Sequence, residues 1–240
     1  MNIKQISEFR TGLKTSKAEQ ADKDQKQLIE LNHNKKRLYI FGNYCSGTRW
    51  LNYLIIENTP KNHLYALRNQ HCYLDDNNNV GRNFKHGILK ENLLHQKQII
   101  LIYTIRDFDN WVHSFSKNSY DKKIENGMVS GTNMNLYQWY CYMIESNISL
   151  LKSSKSKYII VSMEQIQKDK GESLLNILEK HGFELTKPYN FLNEHTKTRK
   201  TEQNQKLSKN NSNEFKFERN NTEVENLLKA LAKQPEIKIL

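Results

Sequence analysis

Cysteine and proline each occur only three times in 240 residues, and long apolar runs are missing. Cys45, Cys72 and Cys141 are too few and too scattered for a disulfide framework or a CxxC metal site. No run approaches the ~18 apolar residues of a bilayer-spanning helix, and no apolar leader segment follows Met1. These absences argue against disulfide-rich secreted and membrane-spanning proteins. They predict a soluble protein of a reducing, cytoplasmic compartment, with no metal site and no membrane span.

Acidic residues are outnumbered: 37 Lys and Arg face 26 Asp and Glu, a formal net charge of +11. The positive excess lies partly in residues 34–37, 85–90 and 197–209. Such a balance predicts an anionic ligand or an acidic polymer as partner. Nucleic acid is disfavoured, because most Tyr and Trp residues fall at helical core spacing rather than in a clustered stacking platform. A non-catalytic basic module that binds polyanions or nucleic acid nevertheless stays open as an alternative.

The most informative stretch is residues 37–52, RLYIFGNYCSGTRWLN. An apolar run at 38–41 predicts a buried parallel strand, and a polar loop bracketed by Gly42 and Gly47 follows it. Ser46, Gly47 and Thr48 then open a helix that we expect to end near residue 57. Because the N–H groups and the positive dipole end of that helix face the loop, the stretch predicts a phosphate-binding turn.

The spacing of Gly42 and Gly47 matches the first part of a Walker A loop, but the residues after it differ. Thr48 stands where that loop has lysine, and Arg49 where it has the Mg²⁺-binding Ser or Thr. A Mg²⁺-dependent NTPase is therefore disfavoured. A P-loop nucleotide kinase stays open as an alternative, with Asp107 as its carboxylate.

Strand and helix patterns alternate along the chain. Apolar runs at 98–105 and 157–163 predict two further buried strands, and helices are expected at 108–117 with Asp107 as N-cap, at 133–152 and at 171–182. Residues 75–83 and 119–131 are expected to be loops. This order predicts an α/β fold, a single domain with a central parallel sheet flanked by helices.

Domain bounds follow from the same patterns. Residues 1–36 are expected to form a polar N-terminal arm or edge helix, and 37–240 the α/β domain, with its core at 37–185. The basic part at 186–240 is expected to be less ordered, apart from a last helix opened by a capping box at 222–225.

Two motifs together resemble the sulfotransferases that use 3′-phosphoadenosine-5′-phosphosulfate (PAPS), a family with a P-loop-like architecture. One is CSGTRWL at 45–51, which is similar to the family's PKSGTTWL loop. The other is Arg106 at the end of a strand with Ser114 eight residues later. The resemblance implies that Arg106 and Ser114 bind the 3′-phosphate of the cofactor. It also implies that the loop cradles the 5′-phosphosulfate through Cys45, Ser46, Gly47, Thr48, Arg49 and Trp50.

Other segments extend the resemblance over roughly 37–185. Lys85 and His86 resemble the family's KTHLP segment, which implies His86 as general base and Lys85 as the group that assists the leaving phosphate. Cys45 replaces the family's loop lysine, so Arg49 or Lys85 is expected to supply that charge. Arg199 and Lys200 resemble the start of the family's Arg-Lys-Gly segment, although threonine follows them in place of glycine. The resemblance implies that they are candidate ligands of the 3′-phosphate.

The implied activity is transfer of a sulfuryl group from PAPS to a hydroxyl or amine of an acceptor, leaving 3′-phosphoadenosine-5′-phosphate (PAP). The acceptor is expected to be a small molecule or a carbohydrate. Acceptor selection is expected in residues 61–83, 119–132 and 186–221, whose polar, Asn-rich composition suits a hydroxylated molecule.

Overall fold

A computed structural model describes residues 37–60, 72–74, 80–82, 88–89, 94, 99–117, 124–125, 128–191 and 218–238. The predicted arm at 1–36 lies outside these residues. In chain order the strands are β1 (Arg37–Gly42), β2 (Cys72–Leu74), β3 (Val80–Arg82), β4 (Ile99–Ile105), β5 (Ile124–Glu125), β6 (Met128–Val129), β7 (Lys157–Ser162) and β8 (Glu236–Lys238). The helices are α1 (Thr48–Glu57), α2 (Phe108–Lys117), α3 (Leu136–Ser153), α4 (Met163–Lys168), α5 (Glu172–Lys180) and α6 (Thr222–Leu231).

Four strands form the main sheet in the order β1-β4-β7-β8. β1, β4 and β7 are parallel to one another, and β8 is antiparallel to β7. Two antiparallel pairs, β2 with β3 and β5 with β6, form separate two-stranded sheets. The α/β class is therefore confirmed, with a sheet that is mostly parallel.

Both faces of this sheet are covered, which explains why its strands read as continuous apolar runs. All seven residues of β4 are buried. Alternate residues of β1, β4 and β7 enter two core clusters, one on each face. On one face the strands pack with buried side chains of α2, α3 and α6; on the other they pack with those of α1, α4 and α5.

The helix predictions hold best where a cap residue is explicit. α2 spans the predicted residues, and the Asp107 carboxylate accepts from the amide N–H of Asp109 at 3.0 Å, as expected of an N-cap. α1 ends at Glu57 as predicted, and α5 ends just before Gly182, whose φ of 78° suits the left-handed turn that follows a helix.

Several boundaries were predicted wrongly. Asn221, not Thr222, caps α6, because its side chain accepts from Val224 N at 3.1 Å. α3 begins at Leu136 after a capping box of Asn135 and Gln138, three residues later than expected. Strand β3 lies in the expected loop at 75–83, and β5 and β6 lie in the expected loop at 119–131. The edge strand β8 was not foreseen, because a three-residue strand carries too little periodicity to be read.

Asn58 fastens the end of α1 to the segment that follows α5. Its fully buried side chain donates to Leu54 O at 2.8 Å and to Asn190 O at 2.9 Å, and accepts from Asn190 N at 2.6 Å. Its own carbonyl accepts from Thr186 N at 2.8 Å. Asn58, the residue that caps the end of α1, thus also holds residues 186–190 in place.

We expect Asn58→Ala to lower the free energy of unfolding by about 2–4 kcal/mol, because each buried polar group left without its partner costs about 1–3 kcal/mol. Urea denaturation measures this. The exposed Asn133→Ala serves as control and should change stability by less than about 0.5 kcal/mol. Equal effects of the two substitutions would show that the Asn58 contacts do not stabilise the fold.

Candidate functional site

Three parallel strands end at the same edge of the sheet. Gly42 at the end of β1 is paired with Thr104 of β4, and Ile105 of β4 is paired with Ser162 at the end of β7. The loop at 43–47, Arg106 and the start of α4 therefore follow from adjacent strand ends. In open α/β sheets, ligands bind outside the carboxyl ends of the strands. We take this edge as the candidate site.

The loop between β1 and α1 is tightly folded. Ser46 N–H donates to Asn43 O at 3.1 Å, which closes a turn, and Cys45 and Gly47 have φ values of 63° and 85°. Gly47 is the N-cap of α1 and offers no side chain to the amides of the first helical turn. Those amides face the loop with the positive end of the helix dipole, as an anion-binding turn requires.

A buried hydroxyl pair fixes the loop to β4. Ser46 Oγ lies 3.0 Å from Thr104 Oγ1, and Thr104 Oγ1 also donates to Phe41 O at 3.2 Å. Ser46 is 1% exposed. Its hydroxyl and its amide are thus both engaged inside the protein, and its evident role here is to shape the loop.

Gly42 is required by this close approach. A Cβ atom on Gly42 would lie 2.5 Å from the carbonyl oxygen of Thr104 and would also collide with Ser46 Oγ. The first of these neighbours is backbone and cannot turn away. Any larger residue would separate the loop from β4.

Arg106 reaches from the end of β4 to the loop. Its Nη1 donates to Cys45 O at 3.4 Å, and its backbone carbonyl accepts from Tyr140 Oη at 2.6 Å. Burial raises the pKa of Tyr140 well above the usual value, so the phenol stays protonated as a donor. Arg106 Nε is buried and has no hydrogen-bond partner in the described part of the chain. A buried donor without a partner costs about 1–3 kcal/mol, which marks this arginine as an unusual feature of the edge.

A carboxylate stands on the other side of Arg106. Glu164 Oε1 lies 4.0 Å from Arg106 Nε and accepts from Asn110 Nδ2 at 3.3 Å. Glu164 Oε2 accepts from Ser162 Oγ at 2.9 Å. Ser162 is also the N-cap of α4. The edge is therefore not uniformly positive: a fixed negative charge borders its arginine.

Helix α2 supports the same edge from its covered face. Trp111 is fully buried, and its Nε1 donates to Tyr44 O at 2.5 Å. Arg219, in the segment before α6, pairs with Asp109 and lies over the Phe108 ring at 5.5 Å to the centroid. The first turn of α2 is thus held between the loop and the C-terminal part of the chain.

The structure brings only some of the predicted site residues together. Cys45, Ser46, Gly47 and Thr48 lie in one turn with Arg106 beside it. Arg49 is exposed on the first turn of α1, Trp50 is half-buried against the core, and Ser114 is half-buried on α2. Lys85, His86, Arg199 and Lys200 lie outside the described residues.

Two observations bear on the alternatives. The Asp107 carboxylate is committed to the first turn of α2, since it accepts from Asp109 N and, at 3.4 Å, from Asn110 N. That commitment disfavours its use as the metal-binding carboxylate of a kinase. Within the described residues, no group of His, Cys, Asp and Glu could hold a metal ion, and no helix there is long and apolar enough to cross a membrane.

Thr104, Ser162 and Glu164 were missed by the sequence reasoning. Thr104 is a polar residue near the end of an otherwise apolar strand, and Ser162 with Glu164 has the spacing of a helix cap. Those patterns were available in the sequence. Their proximity to Arg106 was not, because it depends on the pairing of β4 with β7.

No protein-family model, no curated protein and no solved structure matches this chain. The candidate site therefore stands on its own residues and geometry.

We expect Ser46→Ala and Thr104→Val each to destabilise the fold, and the double variant to cost about 1 kcal/mol less than their sum, because each single variant already removes the hydrogen bond between the two hydroxyls. Urea denaturation of the four proteins measures this coupling. Ser46→Ala combined with Thr132→Val is the control, since Thr132 lies in the turn after β6, and should be additive within about 0.5 kcal/mol. Additivity of both pairs would contradict the proposed fastening of the loop.

Proposed function

We propose that this protein is a sulfotransferase that transfers a sulfuryl group from PAPS to a hydroxyl or amine of an acceptor. The observation that carries the proposal is that the buried Nε of Arg106 has no hydrogen-bond partner in the described residues. Arg106 lies beside the glycine-bracketed loop and the N-terminus of α1. An arginine fork and a helix N-terminus are two anion-binding devices. Their position at neighbouring strand ends suits a ligand with phosphate groups at two separated positions.

The residues present fit such a donor. The turn at 45–48 and the first amides of α1 would hold its 5′-phosphosulfate, and Arg106 with Ser114 its 3′-phosphate. The left-handed backbone at Cys45 and Gly47 helps to curl this turn, and curled turns of this kind form anion-binding concavities. When bound, PAPS supplies the sulfuryl group that is transferred.

The roles of the remaining residues follow from charge. Positioning and electrostatic stabilisation dominate this kind of group transfer. His86, neutral at working pH, would take the proton of the acceptor hydroxyl. Lys85 and Arg49 would offset the charge that grows on the leaving phosphate. Arg49 has the required exposure at the first turn of α1, and it compensates for the cysteine at position 45.

The acceptor would be a small hydroxylated molecule or a carbohydrate. The polar residues at 61–83, 119–132 and 186–221 would select it. Cys45 and Cys141 form no disulfide bond within the described residues, in keeping with the cytoplasmic location that we propose.

The donor site is tested by thermal unfolding of the protein with PAP, ADP and ATP-Mg²⁺. A ligand at about 100 times its dissociation constant stabilises the folded state by ~2.7 kcal/mol. We expect PAP to raise the melting temperature more than ADP or ATP-Mg²⁺, and Arg106→Ala to abolish that rise. Lys187→Ala is the control: it removes an equal charge from an ion pair with Glu179 and should keep the rise in melting temperature with PAP. A rise with ATP-Mg²⁺ alone would favour a nucleotide kinase, and no rise with any nucleotide would favour a polyanion-binding module.

Catalysis is tested with PAPS and a panel of hydroxylated acceptors, followed by release of PAP. We expect His86→Ala to lower the transfer rate by about 10²–10⁴, the usual contribution of a positioned general base. His181→Ala is the control, because His181 lies at the end of α5, and should leave the rate unchanged. Retention of full activity by His86→Ala would exclude it as the base.

A further inference from the structure

Glu164 is held firmly where the ends of β4 and β7 meet. One carboxylate oxygen accepts from Ser162 Oγ at 2.9 Å, and the other accepts from Asn110 Nδ2 at 3.3 Å. Because the two donors come from different elements, they fix the orientation of the carboxylate as well as its position. The negative charge therefore has a defined place at the candidate site.

The contact between Glu164 and Arg106 is electrostatic rather than a hydrogen bond. The 4.0 Å between Glu164 Oε1 and Arg106 Nε exceeds hydrogen-bonding distance, and Nε gains no partner from it. The two side chains are only 29% and 23% exposed, so solvent screens their charges less than it does at a free surface. Glu164 thus attracts the guanidinium without forming a hydrogen bond to its Nε.

A ligand anion at Arg106 has to share the guanidinium with this carboxylate. Like charges held a few ångströms apart repel, so the fixed carboxylate lowers the affinity of the site for phosphate. The proposed donor and its product both carry the 3′-phosphate that Arg106 would bind. Tight binding through that group alone would hold the product as firmly as the donor, without accelerating the transfer.

We propose that Glu164 sets the nucleotide affinity of this site, acting as a built-in competing anion for Arg106 that weakens PAP binding and speeds its release. This inference rests on the proposed function, because it concerns the same site. If Glu164 only supported the structure, neutralising it would weaken ligand binding. Because Glu164 acts as a competing anion, its neutralisation strengthens ligand binding.

The test is calorimetric titration of the full chain with PAP, comparing wild type with Glu164→Gln. Glutamine keeps the size of the side chain and an oxygen acceptor while removing the charge. We expect the dissociation constant to fall about tenfold at low salt, the effect of one nearby charge. The difference should shrink in about 1 M salt, where the screening length is ~3 Å.

Two further variants separate charge from contact. Glu164→Asp keeps the charge but withdraws the carboxylate from Asn110 and Ser162, and its PAP affinity should stay within about threefold of wild type. Glu179 lies on α5 and forms an ion pair with Lys187. Glu179→Gln removes an equal charge there and should leave PAP binding unchanged.

The outcomes distinguish this inference from the proposed function. Tighter binding by Glu164→Gln alone supports it. If wild type binds PAP and Glu164→Gln binds it equally tightly or more weakly, the role of Glu164 is overturned. The donor site then remains intact. Equal tightening in Glu164→Asp or Glu179→Gln also overturns it, because the effect would not come from the charge at this position. Absence of PAP binding in wild type overturns both.

Discussion

The candidate site depends on how closely the loop after β1 approaches the end of β4. A hydrogen-bonded hydroxyl pair, Ser46 with Thr104, makes this contact. The contact also requires glycine at position 42, where there is no space for a side chain. Because Ser46 is buried and tied to β4, the backbone around it cannot drift away from the sheet. That restraint sets where α1 begins, and so where its first amides are directed.

The second determinant is the order of strands in the sheet. β4 lies between β1 and β7, so Arg106 emerges between the loop on one side and Glu164 on the other. Its guanidinium contacts both, through Cys45 O and through the charge of Glu164. A different strand order would leave the same residues far apart. The balance of one positive and one negative group is thus a product of topology.

The aromatic layer under α2 and α3 keeps this arrangement rigid. Phe108, Trp111 and Tyr140 are buried in one cluster, with ring centroids 5.1–5.9 Å apart. Two of these residues also make hydrogen bonds to the site backbone, to Tyr44 O and to Arg106 O. Aromatic side chains with a polar tip suit this task, since the ring fills the core while the tip meets a backbone group. Packing and site geometry are therefore coupled.

The sequence alone determined the α/β class, the three parallel strands and most helix ends, because apolar periodicity and cap residues such as Asp107 act locally. It also pointed to the glycine-bracketed loop and to Arg106, which the structure places side by side. Only the tertiary structure decided that Ser46 faces Thr104 and that Glu164 borders Arg106. Both contacts join residues 58 positions apart, and local spacing does not encode such pairs. The antiparallel β8 belongs with them, since a three-residue strand is defined by the partner it pairs with rather than by its own pattern.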